Sequence, residues 1–215
     1  MKTTITLVLA TILSLGFAVT SFALIDGSSH DLSTGGSGLA GQICSYCHTP
    51  HNAGDFGIGN GLGSDTYPLW SMTAVASTAG YDSYSSPTFD GDTDTAVDPL
   101  IGPTRLCMSC HDGTIAVDNA VVTNSTNFMT GNRVLGTDLT NDHPVGFVYA
   151  DSVQYDGEIK DVDSALGTSG GTIGDYLYEG VMTCASCHDV HAGEVSNFLL
   201  VANGESALCL ACHIK

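Results

Sequence analysis

The eight cysteines of this chain fall into four copies of one five-residue pattern, with none left over. The copies are Cys44-Ser45-Tyr46-Cys47-His48, Cys107-Met108-Ser109-Cys110-His111, Cys184-Ala185-Ser186-Cys187-His188 and Cys209-Leu210-Ala211-Cys212-His213. Two thiols three residues apart on one turn of chain can reach both vinyl groups of a single porphyrin. The histidine that follows is then carried beneath the iron as its proximal ligand. The spacing therefore predicts four covalently attached c-type haems, with iron on His48, His111, His188 and His213. A lone C-x-x-C would equally fit a redox dithiol or half a zinc site. An exported chain with this many cysteines would ordinarily be read as a disulfide framework. Neither alternative explains a histidine at the same position in every copy.

Four histidines stand outside the motifs: His30, His51, His143 and His191. Four six-coordinate irons need four distal ligands, so the count predicts bis-histidine ligation throughout. Methionine is the competing ligand, and Met72, Met108, Met129 and Met182 are the candidates in the mature chain. Met108 lies inside a motif and Met182 two residues before one, so both read as packing against haem. His51 and His191 each lie three residues past a proximal histidine. The haem of that motif is tethered to the same short segment, so neither can pass round the ring to its opposite face. Each can reach a neighbouring haem, which implies haems packed close together in pairs. By this reading His51 and His191 serve the second and fourth haems, and His143, in a Pro-containing turn, serves the first.

The elements that must position these residues are slight. No apolar period of 3.6 or 2 persists, and the chain carries 26 glycines with many Ser, Thr and Asp. Expected are short helical turns at each motif, a weak helix over Ser206 to Cys212, and short strands near Val121-Val122 and Val145 to Tyr149. The fold class is an irregular, loop-rich wrapper in which the haems form the core. Residues 24–215 read as one tetrahaem domain. Ahead of it, Lys2, the apolar run Ile5 to Val19 and the small residues Ser21 and Ala23 read as a signal peptide over 1–23. The chain is thus expected outside the cytoplasm. With 23 acidic residues against 5 basic, net −18, it would be repelled by nucleic acid and by anionic membranes. Cations, mineral surfaces and basic redox proteins suit it better.

Other candidate sites are weak. Asp90, Asp92 and Asp94 alternate like a calcium loop but lack the downstream glutamate of an EF-hand. Asn124-Ser125-Thr126 matches a glycosylation acceptor, a pattern common by chance. Trp70 reads as packing on a haem face.

Several strings resemble a known family. Ser29-His30-Asp31-Leu32-Ser33, Cys47-His48-Thr49-Pro50-His51-Asn52-Ala53 and Pro68-Leu69-Trp70 are similar to the secreted multihaem cytochromes of metal-reducing bacteria. So are Cys110-His111-Asp112-Gly113-Thr114, Asp142-His143-Pro144-Val145-Gly146 and Leu208-Cys209-Leu210-Ala211-Cys212-His213. Haem number, acidity and size look most like the OmcE-type extracellular filament cytochromes. The resemblance implies a homopolymer with a continuous haem chain, in which one distal histidine ligates a haem of the next subunit. His30, close to the expected mature N-terminus and followed by the tether Ser33-Thr34-Gly35-Gly36-Ser37-Gly38, is the histidine left for that role, on the third haem of a neighbour. Three functions stay open: a polymeric extracellular conduit to external acceptors, a monomeric periplasmic shuttle, and a reductase of a small oxyanion. The last needs an iron with an open sixth position, which full ligation by histidine would not leave, so a carrier rather than an enzyme is expected.

Overall fold

The computed structural model describes residues 25–35, 42–48, 80–91, 100–119, 122, 124–192 and 196–215. The leader, His51, Trp70, Met72, Asp92, Asp94 and Val121 lie outside them. Among the described residues the chain is loop-rich, with a few short helices and no sheet. None of those helices is long and apolar enough to cross a membrane.

Gly102 and Pro103 start helix α1, Pro103–His111. Proline lacks the N–H that would go unpaired at a first helical position, and its ring holds φ near the helical value. Gly102 has φ 54 and ψ −132, a conformation open essentially to glycine alone. A Cβ there would also come within 2.5 Å of the Tyr178 ring. The helix carries the whole second motif and buries Thr104, Arg105, Met108 and Ser109. Helix α2 spans Tyr149–Tyr155. Helix α3 spans Ala207–Cys212, where the weak helical signal lay, and is entered through Ser206 in a left-handed conformation at φ 63. The first and third motifs begin in single 3-10 turns, Ile43–Tyr46 and Cys184–Ser186.

The strand expected over Val145 to Tyr149 does not form. Val148 makes an isolated antiparallel bridge to Val181, flanked by Gly146 N–H to Met182 O (2.8 Å) and Met182 N–H to Phe147 O (2.9 Å). The pairing ends where Glu179 and Gly180 turn the partner away at φ 50 and 84, and Tyr149 opens α2. Val122, on the other expected strand, lies in a bend.

Aspartate shapes many of the loops. Asp31, Asp112, Asp138, Asp156, Asp161 and Asp189 each accept the backbone N–H two residues on, at 2.8–3.1 Å. This side-chain turn replaces a backbone one. Two small apolar clusters lie between the loops. One gathers Phe147, Tyr149, Leu166, Ile173, Met182, Val201 and Ala211. The other gathers Leu100, Met108 and Leu139.

Candidate metal centres

Each of the last three motifs is pinned by backbone from elsewhere in the chain. His111 O accepts Leu135 N–H at 2.7 Å. The third motif is clipped by Leu200 N–H to Cys187 O (2.9 Å) and Asp189 N–H to Phe198 O (2.8 Å). The fourth is clipped by Lys160 N–H to Cys212 O (2.8 Å) and Ile214 N–H to Glu158 O (2.7 Å). These clips fix where each proximal histidine starts from.

Among the described residues three pairs of histidine rings lie near one another. His48 lies 6.1 Å from His191, His111 lies 6.2 Å from His30, and His213 lies 6.4 Å from His143, between ring centres. A metal–imidazole bond is about 2.0 Å, and ring bonds of about 1.33 Å put a nitrogen about 1.1 Å from the ring centre. Collinear arms on the two sides of one metal therefore hold ring centres about 6.2 Å apart. All three observed gaps match that separation. Each pair joins one motif histidine to one from outside the motifs, so the residues present fit a six-coordinate haem iron.

The second ring nitrogen identifies the tautomer. Nδ1 of His111 faces Arg133 O at 3.0 Å, Nδ1 of His143 faces Pro144 O at 3.0 Å, and Nδ1 of His188 faces Asn197 O at 2.9 Å. A carbonyl oxygen only accepts, so Nδ1 carries the proton and donates, leaving the Nε2 lone pair for a metal. Outer partners of this kind orient metal-bound histidines generally. They escape sequence reading because they are main-chain carbonyls and carry no side-chain signal. His30 is held differently: its ring packs on Phe198 at 4.8 Å, and burial, then His111, pulls its pKa down. Burial and then His143 do the same for His213. Both shifts favour the neutral imidazole that a metal requires.

The pairing differs from the one reach alone suggested. His143 faces His213 of the fourth motif, not His48 of the first. His191 faces the first motif rather than the second or fourth. Within this chain His30 faces His111 of the second motif, not His188 of the third. The reason is in the clips: the turn holding His143 is tied through Phe147 and Met182 into the apolar cluster that includes Ala211, beside the fourth motif. In one respect the ring positions agree with the reach argument: His191 stands beside the histidine of a motif other than its own. None of the ring pairs among the described residues includes His188, and His51 lies outside those residues.

All eight cysteines are free. Burial pushes the thiol of Cys110 up to about 12 and that of Cys187 up to about 11. At those two positions burial favours an uncharged sulfur, whereas the neighbouring Cys107 pulls the Cys184 thiol down to about 7. Among the described residues no three Cys, His, Asp or Glu side chains converge on a point that could hold a bare metal ion. The Asp90 to Asp94 and Asn124 motifs gain no further support.

No curated protein matches the chain. Residues 179–215, which hold the third and fourth motifs, match the family described as the doubled CXXCH motif. That match supports covalent attachment of haem c at those two motifs.

Proposed function

We propose that this chain transfers electrons through four covalently bound haems, each ligated by two histidines, and acts on no substrate of its own. The observation that supports it is the set of three ring pairs, each spaced for one iron. A bound haem supplies a one-electron iron couple, which needs no proton or atom to move. The protein's own work is to fix the axial rings and, at His111, His143 and His188, to hold the Nδ1 proton on a carbonyl. His51 is assigned to His188. His191 already spans from the third motif to the first, and the same reach taken from the first motif back to the third completes the exchange.

Assembly turns on His30. With His30 opposite its own second motif, one chain completes its own ligation, and this favours a self-contained carrier, exported to the periplasm or cell surface. The polymeric conduit takes one form compatible with that pairing: the arm bearing His30 swings on its Gly/Ser tether and meets His111 of the next copy instead. Redox proteins or external metal oxides are then the partners.

The test is a set of single variants, His30→Ala, His143→Ala and His191→Ala. Each should retain four haems by mass spectrometry and show one high-spin iron in paramagnetic resonance of the oxidised protein. Wholly low-spin spectra in all three would refute the ligation. Electron microscopy of the wild-type protein decides assembly: single particles fit the carrier, while fibres that vanish in His30→Ala fit the exchanged arm.

A further inference from the structure

The second and third motifs are joined by a bond that neither motif's chemistry requires. Thr104 lies one turn before Cys107 on α1 and is fully buried. Its Oγ1 accepts the backbone N–H of Cys184 at 3.2 Å, across eighty residues of chain. Cys184 opens the Cys184–Ser186 turn, and α1 packs directly on that turn. The Cys107 and Cys184 thiols are close enough to influence each other's ionisation. The first cysteine of one motif is thus set against the first cysteine of the next.

We propose that Thr104 is a positioning residue, holding the second and third haem attachment points in register so that the two haems meet at Cys107 and Cys184. The inference rests on the tetrahaem reading. Its basis is chemical economy at a half-buried amide. The N–H of Cys184 sits at the start of a 3-10 turn, where the chain offers it no partner of its own. A hydroxyl is the smallest side-chain acceptor, and a β-branched residue holds it in few rotamers. A threonine on a rigid helix therefore fixes the turn's starting point to the helix surface. The adjoining Thr183 and Ser186 close the turn on itself, with Thr183 N–H donating to Ser186 Oγ at 3.0 Å, so the turn moves as one piece.

The experiment compares Thr104→Val, which keeps the shape and removes the acceptor, with Thr104→Ser, which restores it. Both should carry four low-spin haems. The valine protein should lose the magnetic coupling between the second and third haems in paramagnetic resonance of the oxidised state, and the serine protein should regain it. Four low-spin haems with unchanged coupling in Thr104→Val would overturn the proposal. If the valine protein does not fold, hydrogen exchange in the wild-type holoprotein still decides: the Cys184 amide should be among the slowly exchanging group, and rapid exchange would overturn it. Fewer than four low-spin haems in the wild type would instead overturn the tetrahaem reading and this inference with it.

Discussion

Asp112 follows the proximal histidine of the second motif and is buried, yet it is a carboxylate. It is tolerated because its oxygens are occupied: Tyr81 Oη donates to Oδ2, and Thr114 donates from both N–H and Oγ1 at 2.8–2.9 Å. Burial, and then the Asp112 bond, raises the Tyr81 hydroxyl far above its ordinary pKa. Tyr81→Phe removes a donor from a buried anion and should destabilise the protein by about 1–3 kcal/mol. A urea titration reads this directly, and an unchanged midpoint would contradict it. The same residue type shows what the sequence half-revealed. Acidity reads most readily as a statement about partners, through long-range charge. Yet Asp138, Asp156, Asp161 and Asp189 spend their carboxylates on their own backbone two residues on. The pattern Asp-x-Thr at Asp138 or Asp-x-His at Asp189 is legible as a turn once it is weighed locally, and net charge conceals it. The motif histidines were legible for the opposite reason, because attachment chemistry forces their spacing.

Helix α1 was anticipated only as a helical turn at the second motif, and its first turn, from Pro103, was not. Its buried residues include Thr104, Arg105 and Ser109, so the inward face carries no apolar period, and the usual signal for a helix is missing. The structure shows where that turn starts: Gly102 precedes Pro103 at the first helical position. The expected strand at Val145 to Tyr149 failed in the converse way. Alternating apolar residues are present there, but a sheet also needs a partner that stays alongside, and the left-handed pair Glu179 and Gly180 removes it. Gly102→Ala tests the helix start. The added methyl would meet the Tyr178 ring and force a strained backbone, at a cost of about 1–3 kcal/mol from the conformation alone. Thermal melting should fall accordingly, and a melt equal to wild type would show that the helix start tolerates rearrangement.

Among the described residues the two apolar clusters are small, and loops run between them. Ordering that much loop costs conformational entropy that so little buried side chain does not offset. Bound haem is the missing apolar material on the proposed reading. A double Cys44→Ala, Cys47→Ala variant should therefore fail to fold rather than yield a three-haem protein. Proteolysis and near-ultraviolet circular dichroism read the outcome, and a soluble three-haem product with a cooperative melt would count against it. The whole-molecule arrangement was only partly legible. Reach from a tethered haem says which motif His191 cannot serve. Which motif it lies beside depends on clips such as Leu200 on Cys187 and Asp189 on Phe198, and long-range backbone pairing leaves no trace in residue type.

The partnership of His48 with His191 has a consequence for how the protein is made. A chain exported from its N-terminus presents His48 first and His191 near the end. An iron mounted at the first motif would pass most of translocation with one axial place unfilled, while His143 emerges ahead of the intended ligand. Early capture by the wrong imidazole would close a shorter loop at less entropic cost and would have to be undone later. If the chain is exported and ligated as proposed, maturation is a contest between loop lengths, settled only when the last third of the chain arrives.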